Sequence, residues 1–253
     1  MQVKRLIARL DIKEPNLVKG VQLEGFRKLG DPNEKAKNYY LQGIDEIFYT
    51  DIVASLYERN SILDLISKTV SDVFVPITVG GGLRSIDDVA AALRAGADKV
   101  AINTAAIKNP KLLSEIANKF GSQCLVLSIQ AKSHSNYWEC FYDNGREHSH
   151  IDVLDWAKKA ETLGVGEILV TSVDREGTGK GYDLELIEAV SKVVNVPVIA
   201  GGGMGAMQHL SDVFNCGADA AVMAKVLHYG EFSIPDIKNY CCNVGIPVRP
   251  FGK

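Results

Sequence analysis

Asp11 ends a strongly apolar segment that begins at Leu6, and a carboxylate at a strand end can exchange a proton with a bound substrate. Partial burial there would raise its pKa toward a working range; alternatively it only orders Lys13 or Lys19. Asp51, Asn103, Gln130 and Thr171 stand at the ends of further apolar runs, with Lys19 and Glu176 in the segments that follow such runs. Two Gly-Gly-Gly runs, 80–82 and 201–203, each end a strand and precede a helix. Backbone without side chains can bring its N–H groups against phosphate oxygens there. Gly81 and Gly82 with Asn103 and Thr104, and Gly202 and Gly203 with Gly177, are therefore candidate phosphate ligands, suited to a substrate with a phosphate at each end. The alternative is that the glycines only make tight turns.

Lys19 lies in the segment Lys13–Gly30, long enough for a functional loop, and is expected in a mobile lid unless it is a solvated surface lysine. Arg5, Glu46, Lys99 and Glu167 stand at strand starts instead. Turned inward, two cations and two anions would close a neutral ring; turned outward they would be four solvated charges.

These positions need a frame, and short β-rich runs alternating with amphipathic stretches supply one. Eight strands are expected near Leu6–Ile12, Glu46–Asp51, Pro76–Val79, Lys99–Asn103, Cys124–Ile129, Glu167–Ser172, Pro197–Ala200 and Ala220–Ala224. Helix starts are marked by Asp31-Pro32, Asn109-Pro110 and Tyr182-Asp183. A register of 121 residues superposes Val75–Gly82 on Val196–Gly203 and Gly96-Ala97-Asp98 on Gly217-Ala218-Asp219. Two four-stranded halves make one (β/α)₈ barrel, residues 1–253 forming a single domain, with the polar strand ends at its catalytic C-terminal face.

With 28 basic and 31 acidic residues the net charge is −3, so nothing pulls the chain toward nucleic acid or an anionic membrane. No apolar run approaches the roughly 20 residues of a membrane span, and the start leads straight into a strand, so a cytoplasmic location is expected. The five cysteines are read as reduced; no metal site and no cofactor is suggested.

Six ordered motifs carry a resemblance: Ala8-Arg9-Leu10-Asp11-Ile12-Lys13, Leu17-Val18-Lys19-Gly20, Val79-Gly80-Gly81-Gly82, Ala97 through Ala105, Phe120-Gly121-Ser122-Gln123, and Thr171 through Gly177. The chain resembles the cyclase-subunit family of imidazole glycerol phosphate synthase over almost its whole length. The resemblance implies a glutaminase docked as a heterodimer on the N-terminal face, near Asp98 and Gln123. It also implies ammonia passing a gate of Arg5, Glu46, Lys99 and Glu167 to a doubly phosphorylated ribulosyl substrate. Reversing Glu46 or Lys99 is then expected to disturb ammonia passage more than folding.

The family uses two catalytic aspartates, on strands one and five. Here they become Asp11 and Gln130, and an amide cannot exchange a proton in the working range. Glu176 stands where the family has Asp, Gly201 where serine is usual, and Lys225 where a small hydroxyl residue is usual. Lys225 is either a new anion contact or a solvated charge. The expected function is an ammonia-receiving barrel that aminates or amidates a phosphorylated or sugar-type substrate, as in relatives that serve surface-sugar modification. The alternatives are the orthodox cyclase of histidine biosynthesis and a catalytically silent ammonia conduit that activates the glutaminase.

Overall fold

All eight expected strands form in the computed structural model, which describes residues 3–54 and 62–251. They are β1 (Arg5–Lys13), β4 (Glu46–Asp51), β5 (Ile77–Gly80), β6 (Lys99–Ile102), β7 (Leu125–Ser133), β10 (Glu167–Ser172), β11 (Val198–Gly201) and β12 (Ala220–Met223). Each pairs in parallel with the next, and β12 pairs with β1 to close the barrel. Helices follow the strands because each strand must return to the same edge to run parallel. Among the described residues no helix is long and apolar enough to cross a membrane.

Side-chain parity divides the core in two. Leu6, Ala8 and Leu10 of β1 point outward into the large cluster beneath the helices. Ile7 points inward, where it meets Phe48, Ala101, Val126, Leu169, Ile199, Ala220 and Val222 in an apolar layer across the barrel. Arg5, Arg9 and Asp11 share the parity of Ile7 and thus belong to the interior.

Helix starts follow the capping chemistry in two of three cases. The Asp31 side chain accepts from the Asn33 and Glu34 amides, and Asp183 accepts from the Leu186 amide. Asn109-Pro110 precedes the helix Lys111–Phe120 without a side-chain cap.

The segment after β1 is not a loop. It forms an antiparallel hairpin, β2 (Asn16–Val21) and β3 (Glu24–Gly30), with Asp11 paired to Val18. Gln22 and Leu23 turn it with φ of 51° and 63°, the double left-handed turn that matches strand twist. An equivalent hairpin, β8 (Trp138–Tyr142) and β9 (Glu147–Asp152), extends β7, with Gln130 paired to Phe141. Gln130 therefore lies inside a strand that runs on to Ser133, rather than just beyond its end.

Candidate active site

The sheet register makes Asp11 and Gln130 equivalent. Asp11 pairs with Thr50 and Gln130 with Thr171, and these threonines are related by the 121-residue repeat. Their surroundings are opposite.

Asp11 is 1% exposed and lies among charges. Arg9 Nε donates to its Oδ1 at 2.8 Å and Lys19 Nζ to its Oδ2 at 3.5 Å. Lys19 also pairs with Glu176, and Arg9 Nη1 reaches Thr171 Oγ1 at 3.4 Å. All four charged groups are buried, and the set is neutral. Burial alone would raise the Asp11 pKa, as its place on an apolar strand suggests, but Arg9 and Lys19 outweigh it and hold the carboxyl below its usual value. An Asp11 held ionised can accept a proton but is a poor donor at neutral pH. The solvated-surface reading of Lys19 fails, since it is 3% exposed, and its partners hold its pKa above the usual lysine value against the opposing effect of burial.

Gln130 lines a cavity of about 320 Å³ together with Thr50, Asp51, Gly80–Gly82, Asn103, Thr104, Ser128 and Asn144. Thr50 Oγ1, Gln130 Oε1 and Asn144 Nδ2 are shielded from solvent and have no hydrogen-bond partner among the described residues. Each such atom costs about 1–3 kcal/mol, so a polar ligand that met all three would gain accordingly. Asp51 Oδ1 accepts from the Val53 and Ala54 amides, which ties down its own loop. The Asn103 side chain donates to the Phe141 carbonyl and Thr104 Oγ1 accepts from the Asp143 amide, joining the rim to the β8–β9 hairpin. Gly81 has φ of +92°, and a Cβ there would overlap the Asp51 carbonyl. The turn itself thus requires glycine, whatever the ligand.

The second rim is nearly closed. Arg9, Glu176, Gly177, Gly202, Gly203 and Lys225 surround only about 20 Å³, room for about one water. Lys225 is neither a free anion contact nor a fully solvated charge, since its Nζ lies 3.0 Å from Glu231 Oε1. The 121-residue repeat places Lys225 where the first half has Thr104, so the two rims differ in charge as well as volume.

At the opposite mouth the four charges form a closed ring. Arg5 pairs with Glu46 at 2.6 Å and Glu167 at 3.0 Å, and Lys99 with Glu46 at 3.3 Å and Glu167 at 3.0 Å. Their side chains are mostly buried, so a reversed Glu46, which would put three cations together, is expected to cost stability as well as disturb ammonia passage. Asp98 and Gln123 are exposed at the same end. Asp98 accepts from the Ile77 amide at 2.8 Å, as its repeat counterpart Asp219 does from Val198 at 3.0 Å, so it also has a structural task.

Three residues join the site to which the sequence assigns no role, and a fourth feature lies outside it. Arg9 has a signal in the alternation Arg5, Ile7, Arg9, Asp11, which puts it inside the barrel. Thr50 has one as the counterpart of Thr171. Asn144 belongs to an Asp143-Asn144-Gly145 turn, a hairpin signal. Away from the cavity, the gathering of His134, between β7 and β8, with His148 and His150 of β9 around Glu139 of β8 has no such signal.

A family model described as Histidine biosynthesis protein matches residues 5–233. The chain is 61% identical over 208 residues to imidazole glycerol phosphate synthase subunit HisF of Legionella pneumophila, an alignment covering 82% of this chain and 98% of that protein. It is 46% identical over 249 residues to the subunit of the same name from Pyrococcus furiosus, and 47% over 270 residues to that from Methanocaldococcus jannaschii. Each of these two alignments covers 98% of this chain and 99% of the relative. With the barrel, its repeat and its polar C-terminal face already in place, these matches establish that the chain belongs to the enzyme family of imidazole glycerol phosphate synthase cyclase subunits.

Proposed function

We propose that this chain is the ammonia-receiving barrel of a glutamine-dependent enzyme, aminating or amidating a phosphorylated or sugar-type acceptor held in the Gln130 cavity. The carrying observation is the cavity above the apolar layer, lined by Thr50, Gln130 and Asn144, whose buried Oγ1, Oε1 and Nδ2 atoms have no hydrogen-bond partner among the described residues. A glutaminase on the N-terminal face would release ammonia at the Arg5, Glu46, Lys99 and Glu167 ring. Phe74 and Val3, 73% and 53% exposed, offer apolar contact on that face beside Asp98 and Gln123. The apolar layer favours neutral ammonia over ammonium, because an unpaired charge is costly to move through apolar surroundings.

In the cavity, Gln130 can orient the acceptor through hydrogen bonds and cannot relay a proton. A phosphate would lie against Gly81, Gly82, Asn103 and Thr104, with Lys108 and Arg84 nearby to balance its charge. A phosphate at Gly177, Gly202 and Gly203 requires Lys225 and its neighbours to move, given the small space there. The test is reconstitution with the glutaminase of the same organism and amide-labelled glutamine. Label in a phosphorylated or sugar-type product supports the reading; a pair that neither associates nor changes glutaminase rate overturns it.

The orthodox cyclase is the second reading, favoured by Asp11, which its ion partners keep ready to accept a proton. Turnover of the ribulosyl intermediate with high ammonium and no glutaminase separates the two. Rapid formation of imidazole glycerol phosphate supports the cyclase, whereas none, with glutaminase activation intact, leaves the silent conduit.

A further inference from the structure

Three of the chain's five histidines converge on one buried carboxylate, outside the cavity and outside the ring. His134 Nε2 lies 2.9 Å from Glu139 Oε2, His148 Nδ1 lies 3.2 Å from the same oxygen, and His150 Nδ1 lies 3.6 Å from Oε1. Potential ligand atoms of Glu139, His148 and His150 all fall within 4.8 Å of one another.

The backbone is shaped to produce this. The β8–β9 register slips between Glu139 and Phe141, so a bulge of β9 wraps the Glu139 side chain. His150 adopts φ of 59°, a left-handed conformation unusual for a residue other than glycine, and its amide donates to Glu139 Oε1 at 2.8 Å. Burial would raise the Glu139 pKa, but the His150 amide and the His148 and His134 rings carry it below the ordinary value. The carboxylate is 2% exposed at its side chain, while the imidazoles of His148 and His150 are 55% and 85% exposed and accessible from solvent.

We propose that Glu139, His148 and His150, with His134 as the fourth ligand, form a zinc-class metal site that fastens the β8–β9 hairpin. Three imidazole nitrogens and one carboxylate suit zinc and its transition-metal neighbours; calcium and magnesium require oxygen donors. Bonds of about 2.0–2.2 Å around a tetrahedral zinc place ligand atoms roughly 3.3–3.6 Å apart; the His134, His148 and His150 nitrogens lie 2.9, 3.2 and 3.6 Å from the Glu139 oxygens, and His134 must swing in to join the other three. The hairpin also borders the reaction cavity. Phe141, opposite Gln130, packs its ring 4.4 Å from that of His148, and its carbonyl accepts from the Asn103 side chain. A bound metal would hold that wall without joining the chemistry.

The test uses full-length protein stripped with a chelator and titrated with Zn²⁺ by calorimetry. The expected result is one equivalent bound, weakened at least about 100-fold in the double variant His148→Ala/His150→Asn and less in His134→Ala. Asparagine tolerates the left-handed backbone, so the double variant should fold as the parent does. Hydrogen exchange across 138–152 should slow with Zn²⁺ in the parent alone. Absence of binding at about 10 µM Zn²⁺, far above the dissociation constants of structural zinc sites, would overturn the proposal. So would binding undiminished in the double variant, binding lost instead in Cys242→Ser, or unchanged exchange.

Discussion

At the top of β1 four charged side chains fill the barrel, whereas at the top of β7, its counterpart in the second half, a cavity of about 320 Å³ remains open. The backbones are alike: both strands run on into antiparallel hairpins, and Asp11 and Gln130 face equivalent threonines. The contents differ through a few side chains. Arg9 pairs with Phe48 in the sheet and Ser128 with Leu169, again positions related by the repeat. An arginine at the first fills its side with a guanidinium; a serine at the second leaves space. Duplication has kept one frame and allowed one side of the C-terminal face to be packed with ions and the other to stay open.

The largest test of that contrast is Gln130→Asp. If the missing carboxylate is the only defect, ammonium-dependent cyclase turnover should rise by up to about 10²–10⁴-fold. No gain, with the cavity still binding phosphate, would mean that the surrounding side chains are suited to another acceptor. Arg9→Ala comes next. Removing one partner from a buried ion set costs about 3–5 kcal/mol, read as a lower urea midpoint at unchanged slope. The pH dependence follows from the same cluster. Asp11 has its folded pKa lowered, so its stabilisation is present above the unfolded value of about 3.9 and fades as pH falls through the folded one. Lys19 has its folded pKa raised, so its contribution is present below about 10.4 and is lost as pH rises through the folded value. Asp11→Asn should flatten the acid limb of the stability profile.

A smaller effect is expected at the ring. Lys99→Met removes one cation but keeps the stem, so glutamine-dependent turnover should fall about tenfold or less, about 1.4 kcal/mol in barrier, while ammonium-dependent turnover is unchanged. Equal losses in both assays would place Lys99 outside ammonia transfer.

The eight strands are legible because apolar runs and helical stretches alternate without interruption, and the repeat supports their number. The ring is legible only in part: its four charges sit at strand starts, where the residues alone also allow four solvated charges, and it is the family resemblance that turns them inward. The hairpins are not, since β3 and β9 are largely exposed and carry no apolar face to read. The sign of the Asp11 shift is out of reach for a different reason: it depends on Lys19 and Arg9, and through them on Glu176, brought together only by barrel closure. Likewise, the spacing of His134, Glu139, His148 and His150 acquires meaning only from a bulge that no local pattern announces.

Gln130→Leu carries the smallest expected effect on stability and sharpens the comparison most directly. The Gln130 carbonyl oxygen is buried without a partner among the described residues, so exchanging the amide for an apolar side chain of similar volume removes an unsatisfied group. The urea midpoint should move by no more than about 1 kcal/mol in stability, toward the more stable side, while affinity for the acceptor falls. Arg9→Leu, the corresponding change in the first half, should instead destabilise strongly, because it strands Asp11 among buried groups with only Lys19 to balance it. If Gln130→Leu destabilises by more than about 2 kcal/mol, the amide is satisfied in the folded protein and serves the packing of β7. The tops of β1 and β7 would then both be structural, and the ligand would have to be sought elsewhere on the rim.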